Sequence, residues 1–457
     1  MTKTGVLIAT VLALVLGVAT LLTDSPRRAE VRAGSGPLLG SLDIGSISRI
    51  EVQAARGRCE LRRLDLLPDM WVLSTDSPAA WPVNARSVFA TLRMLAELSI
   101  EPGRAASKSE FSTLILHAQG GVSLELRIAS QAVAGRSEIA TPDGRVALAS
   151  DDGLSRVFAT GDLGAWKVPD LFPLDASGAS RVFIEEAEKR VALARVGRSW
   201  AVTAPQPVKA DDPVVTTVLG QLAQSAMLKP AGASEAGAFD KPVARIAVET
   251  DRQVGEAGKA RLRITQELAV GPSSGIGGDA VLCRLQAWTE DSAAGGRTLL
   301  WGPVVAAVDR RTLAGISGDA RSYFARVAVA ASAADVFRIR AERLEGPSVE
   351  VAREAESWKT TSSTGARVEP AAEAAIAALL NFLTVERAKA VLPRESAPFE
   401  PVALLFVAGR DGSEIAGLEL GRTSVDGVSQ AVLGVRSMGV VRVYETPAAQ
   451  LPKLLDF

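Results

Sequence analysis

The sequence predicts an α+β architecture in which one apolar N-terminal segment precedes a body that repeats a single unit of antiparallel sheet and packed helix three times. Three observations carry this expectation. Gly5 to Leu22 is an uncharged run, short segments with period-two alternation recur along the remaining chain, and three tryptophans each stand 12 or 13 residues before an amphipathic helical pattern.

The N-terminal run, GVLIATVLALVLGVATLL, is broken only by the hydroxyls of Thr10 and Thr20, and its eighteen residues are enough to cross a bilayer core as a helix. Lys3 precedes it, and Asp24, Pro26, Arg27 and Arg28 end it sharply. An uncleaved signal anchor accounts for these features; Gly17-Val18-Ala19 offers the competing reading, a small-x-small cleavage site. No cysteine lies near residue 20 to carry a lipid. Arg27, Arg28 and Arg32 outnumber Lys3 and argue against export of the body, but a short N-tail and a long following domain translocate largely regardless of flanking charge. The expected location is therefore the cytoplasmic (inner) membrane, single-pass, with the body on the extracytoplasmic side.

Composition limits the remaining possibilities. Hydrophobic residues make up 47% of the 457-residue chain and charged residues 23%, which is globular and leaves room for several domains. Lys plus Arg number 51 against 52 Asp plus Glu, with no long run of one sign, so nucleic acid is not an expected partner. Cys59 and Cys283 are the only cysteines, too few for a disulfide framework or a thiolate metal cluster. They are expected to be buried, inert thiols; the alternative is a disulfide between two units, which needs their Cα atoms within about 7 Å.

The repeat is read from the order of its parts. The first copy starts with Ile47–Val52, continues through Cys59–Leu64 to Trp71, and enters a helix at Asn84. The second runs from Ala179–Ile184 through Val191–Val196 to Trp200 and a helix at Asp212; the third runs from Val336–Arg340 through Val349–Arg353 to Trp358 and a helix at Pro370. Each helix places apolar residues at three- and four-residue spacing: Val88, Leu92 and Leu95; Val215, Leu219, Leu222 and Ala226; Ile376, Leu379, Leu380 and Leu383. Asp212 is expected at N-cap with Pro213 at the first helical position, and Pro370 repeats that proline. Further strands follow each helix, with glycine turns at Gly120-Gly121 and Asp411-Gly412. The domains expected from this order are an anchor and linker over 1–37, then units over 38–176, 177–334 and 335–457. Strand, strand, helix, strands is an α+β order.

One family resemblance becomes usable here. Arg-Val-Phe-Ile184, the Gly197-Arg-Ser-Trp200 after a strand, and Thr203-Ala-Pro205 leading to Lys209-Ala-Asp211 before a helix look like the DUF4340 repeat. Asp162-Leu-Gly-Ala-Trp166-Lys also resembles that family's inter-repeat segment. The likeness covers about residues 160 to 250 and is weaker in the first and third copies. It implies a membrane accessory role beside gliding-type ABC transport systems, with ABC transporter subunits as partners, and no particular activity.

Candidate chemistry is sparse. His117 is the only histidine and sits in an apolar strand, so a two-histidine zinc site is excluded. The glycine-rich Gly271-Pro-Ser-Ser-Gly-Ile-Gly-Gly278 lacks a Gly-Lys-Ser/Thr ending and precedes a strand, which suits a hairpin loop and not a phosphate cradle. The paired acids Asp151-Asp152, Glu185-Glu186 and Asp211-Asp212 read as caps or solvated positions. No catalytic residue, cofactor or metal is expected. Trp71, Trp200 and Trp358 are expected to anchor the core of each unit; the alternative makes them stacking platforms for cell-wall glycan. The function expected is that of a non-enzymatic accessory or scaffold protein, and the alternative is a ligand-binding module for glycan or peptide.

Overall fold

A computed structural model describes residues 36–457, apart from 55–56, 76–78, 108–109, 133, 150–165, 232–238, 255–259, 274–278, 291–295, 356, 362–369, 424–431 and 438. The apolar run Gly5 to Leu22 lies outside the described residues, and no helix among them is long and apolar enough to cross a membrane.

The α+β expectation is overturned. The described residues are 54% strand and 20% helix, almost entirely antiparallel sheet, with four α-helices among them. Two kinds of strand were not visible in the sequence. Very short edge strands such as Ala80–Val83, Val208–Lys209 and Ala390–Pro393 carry too few residues to show a period. Strands of the middle region, taken from short apolar runs, extend to 11, 14, 11 and 13 residues in Ala244–Val254, Ala260–Ser273, Ala280–Glu290 and Arg297–Asp309. Their polar ends hide the extension.

The strand pairings fall into three sets with one order. In the first, β1 (Ile47–Ala54), β2 (Gly57–Leu64), β3 (Leu67–Ser74) and β4 (Ala80–Val83) form a meander. Helix α1 (Ala85–Glu97) follows, and then β5 (Ile100–Ala105), β6 (Phe111–Ala118), β7 (Ser123–Ala129), β8 (Ser137–Ala140) and β9 (Arg145–Ala149). Strand β6 returns to pair with β1, and β5 pairs with β9, so the sheet order is 4-3-2-1-6-7-8-9-5.

The second sheet repeats this order. It uses β10 (Ala179–Glu186), β11 (Lys189–Val196), β12 (Ser199–Ala204), β13 (Val208–Lys209), helix α2 (Asp212–Gln224), β14 (Met227–Pro230), β15 (Ala244–Val254), β16 (Ala260–Ser273), β17 (Ala280–Glu290) and β18 (Arg297–Asp309). Strand β15 pairs with β10, and β14 pairs with β18. The third uses β19 (Arg338–Arg343), β20 (Val349–Glu354), β21 (Ser357–Thr360), helix α3 (Pro370–Thr384), β22 (Ala390–Pro393), β23 (Phe399–Ala408), β24 (Glu414–Thr423), β25 (Val432–Ser437) and β26 (Val440–Pro447). There β23 pairs with β19 and β22 with β26. Among the described residues a single ladder contact, Gly302 with Ala80, joins the first and second sheets.

Details finer than topology also recur. A capped 3-10 turn stands six residues before the first outward arginine of each sheet: Asp43 before Arg49, Asp175 before Arg181, Ser332 before Arg338. Strands β1 and β10 carry a bulge at the same place, between Ile47 and Arg49 and between Ala179 and Arg181. Arg63 and Arg195 each reach back from the second strand to that turn, to the carbonyls of Gly45 and Ser177. Consecutive glycines at 120 and 121 have φ of 85° and 80°, which lets the β6–β7 hairpin close tightly.

In each set one helix covers one face of the sheet. Helix α1 buries Val88, Leu92 and Leu95; α2 buries Val215, Val218, Leu219 and Leu222; α3 buries Ile376, Leu379, Leu380 and Leu383. Ala226, expected on the helical stripe, falls beyond the end of α2 and forms a bridge with Asp170.

Candidate functional site

The three repeated tryptophans lie inside the protein. Trp71 is 0% exposed, Trp200 4% and Trp358 8%, so none presents an indole face to solvent. Trp71 sits beneath α1 and meets Phe89 edge-on at 6.2 Å between ring centroids. Trp200 shares a core with Val215, Leu219 and Leu222, with the Arg195 guanidinium 5.2 Å from its ring centre. Trp358 belongs with Ile376, Leu379 and Leu383. Trp166 and Trp288, which stand outside the repeated position, are buried to the same degree as Trp358, at 8% each.

The helix starts need one correction. Asp212 is the first residue of α2 and not its N-cap; Asp211 holds that place, and its carbonyl accepts the first helical bond from Val215. The Asp212 carboxylate instead accepts the Trp200 backbone N–H at 2.6 Å, tying the helix start to the tryptophan strand. Pro213 is therefore the second helical residue. Pro370 is the first residue of α3.

The acidic pairs do not converge. Glu185 faces Arg190 at 3.2 Å, while Glu186 accepts from the Gly318 N–H at 3.0 Å and the Ser317 hydroxyl at 3.2 Å. Asp211 is taken by Arg387 at 2.5 Å. Asp151 and Asp152 lie outside the described residues, as do residues 274 to 278 of the glycine-rich segment, whose first part ends β16.

Two polar clusters on the outer sheet faces escaped the sequence reading. On the first sheet Glu51 is buried and held by Arg58 at 2.6 Å, Arg49 at 3.0 Å and His117 Nε2 at 3.1 Å. Burial pushes the Glu51 carboxyl up, but the Arg58 hydrogen bond and the charges of Arg58, Arg49 and His117 outweigh it and hold the group below the ordinary range. His117 is lowered, by burial and then by the Arg49 charge. On the second sheet Arg263 lies between Glu249, at 3.8 Å, and Asp251, at 3.4 Å, while Arg261 holds Asp251 at 2.8 Å. Burial raises Glu249, whereas in Asp251 burial is outweighed by the Ser180 hydroxyl, Arg261 and Arg263, and the carboxyl is lowered. The two-residue spacing of Arg49 with Glu51 was the available signal, since it places both on one strand face. That Glu51 would be buried there was not readable.

The ladder register gives these clusters a common origin. Arg49 pairs with His117 across β1–β6, and Arg181 pairs with Glu249 across β10–β15. In the third sheet Arg338 stands opposite Ala408 and turns to Glu350 at 3.6 Å. Each first strand thus sets an arginine outward, and the neighbouring strands supply its partner.

Among the described residues little else has the form of a site. A cleft between the first and second sheets, lined by Trp81, Asp170, Leu171, Met227, Trp301 and Val304, has a volume of about 10 Å³, room for one water. Among the described residues no three His, Cys, Asp or Glu side chains are grouped to hold a metal ion. Cys59 and Cys283 are both buried and form no disulfide, and burial pushes the Cys283 thiol up to about 12.

No family model and no curated protein matches this chain.

Proposed function

We propose that the chain is a non-enzymatic scaffold or accessory protein of an envelope complex, held at a membrane through its apolar run Gly5 to Leu22. In this reading the three units over 38–176, 177–334 and 335–457 offer protein partners a long and stiff surface. The observation that carries the proposal is the burial of Trp71, Trp200 and Trp358. Buried indoles cannot stack on sugar rings, so the glycan-binding alternative loses its platform. The outer-face carboxylates and arginines are engaged with one another, which supports a structural use for them. Placement on the extracytoplasmic side of the inner membrane, and partnership with ABC transporter subunits, rest on the apolar run and on the likeness of residues 160 to 250 to the DUF4340 repeat.

Purification of the full chain from native membranes in mild detergent tests this reading. Membrane transport subunits in stoichiometric amount are the expected outcome. Recovery of the chain alone, with no partner at any detergent strength, contradicts it. His117→Gln is expected to leave function intact wherever the fold is retained.

A further inference from the structure

Among the described helix and turn starts with Asp, Asn or Ser at the N-cap, one departs from the others. Asn84 caps α1 by accepting the backbone N–H two residues on, from Arg86, and Asp43, Asp175, Asp309 and Asp319 cap 3-10 turns in the same way. Asp211, at the N-cap of α2, makes no side-chain cap bond. The residue two positions on is Pro213, which has no N–H to give. Its carboxylate turns instead to Arg387, beyond α3 in the third unit, at 2.5 Å. The Asp211 side chain is 5% exposed and that of Arg387 51%.

The surroundings show what this contact spans. Residues 323 to 329 run as a strap between the second and third sheets and bond to both. On one side the Asp211 N–H donates to the Tyr323 carbonyl, the Ala325 N–H donates to the Lys209 carbonyl, and Ala210 bridges Phe324. On the other, the Ala388 N–H donates to the Arg326 carbonyl, the Val329 N–H donates to the Leu383 carbonyl, and Arg442 Nε donates to the Ala325 carbonyl. Asp211 and Arg387 close the joint directly from unit to unit, next to this strap.

We propose that Asp211 and Arg387 form a releasable latch over the joint between the second and third units, and that Pro213 favours the latch by removing the amide two residues on that the other capped turns use. The Asp211 carboxylate has two uses, the Arg387 guanidinium and the first turn of α2, and the missing amide at Pro213 favours the first. Arg387 is half exposed, so an acidic group on a partner, or salt, reaches it and competes. Release would loosen the strap's backbone bonds to the two sheets, while Tyr323, Phe324 and Val329 stay in the core that both units share.

Amide hydrogen exchange on the full chain tests this, comparing the unaltered protein with Arg387→Met and with Pro213→Ala. In Arg387→Met the amides of 323 to 329 are expected to exchange about fivefold faster, with β1 and β6 unchanged. Pro213→Ala is expected to loosen the same strap by a smaller factor and to protect the first turn of α2, as Asp211 recovers its cap. Strap exchange equal to that of the unaltered protein in both variants overturns the proposal, because the core alone then holds the joint. Acceleration spread evenly over all three sheets overturns it as well, because the loss is then global.

Discussion

The joint between the first and second sheets differs from the joint between the second and third. At the first, Leu64, Leu67, Met70 and Val72 on the outer face of β2 and β3 meet Ile264, Ala287, Leu300 and Trp301 in a small core of their own. The first unit keeps a separate core around Trp71, Val88, Leu92 and Leu116. The connecting chain is held where the Gln266 amide both donates to and accepts from the Leu174 backbone, at 3.0 Å each way. At the second joint no such division exists. One core runs from Trp200 and Leu219 through Tyr323, Phe324 and Val329 to Trp358, Phe382 and Tyr444. Three copies of one strand order thus make two bodies, a single unit and a pair that shares one core. Repetition of the unit fixes its inside, while the residues that happen to face a neighbour decide how strongly it is coupled.

The largest effect that would expose this division is loss of a buried tryptophan. Trp200→Ala should leave a cavity and cost about 3–5 kcal/mol, felt across the second and third units together. Trp71→Ala should cost a similar amount but act on the first unit alone. Denaturant titrations followed by hydrogen exchange in each sheet would check both. A loss from Trp71→Ala that spread equally to the third sheet would break the comparison. Trp166 and Trp288 are buried as deeply as Trp358, so exposure gives no reason for them to cost less.

A smaller effect is expected at Arg442, which is buried and donates from Nε to the Ala325 carbonyl at 2.7 Å and from Nη1 to the Ser437 hydroxyl at 2.6 Å. Burial lowers its guanidinium. Arg442→Met should cost about 1–3 kcal/mol by leaving the Ala325 carbonyl unsatisfied, with the loss confined to the coupled pair of units. Urea midpoints for the two transitions would show it.

Acid acts with opposite sign at Glu51 and at Glu249, although Asp251 beside Glu249 is lowered as Glu51 is. Glu51 is lowered in the folded state, so its contribution to stability is present above the unfolded carboxyl value and is lost as pH falls through the folded one. His117 is also lowered, so the unfolded chain takes that proton first and acid again favours unfolding. Glu249 is raised, so at that site the folded state takes the proton first and acid favours folding. Glu51→Gln should therefore flatten the acid limb of the first unit, and Glu249→Gln should change the second in the opposite sense. Stability curves between neutral and acid pH would check the signs.

Much of the inside of each unit was legible in the sequence, because packing leaves a periodic mark there. Val88, Leu92 and Leu95 announce a helix with one buried face, and the Trp71, Trp200 and Trp358 spacing announces a common tertiary position. The sheet content was underestimated, because a two-residue strand such as Val208–Lys209 has no period to read. The start of α2 was misplaced by one residue because Asp211 and Asp212 are both good capping side chains, and only the fold decides that one bonds Trp200 and the other Arg387. Glu51 and Glu249 were missed for a related reason. Burial of a polar residue on an outer face depends on side chains from other strands, which the local sequence does not specify.

The two cysteines fall one in each body, Cys59 on β2 and Cys283 on β17, and both are buried. Pulsed thiol labelling across a denaturant gradient, read separately at each site, therefore reports the two bodies independently. Cys59 should become reactive over a range of denaturant in which Cys283 stays protected, or the reverse, while β10–β15 and β19–β23 lose exchange protection together. Simultaneous labelling of both thiols in a single transition would contradict the division of this chain into one unit and a coupled pair.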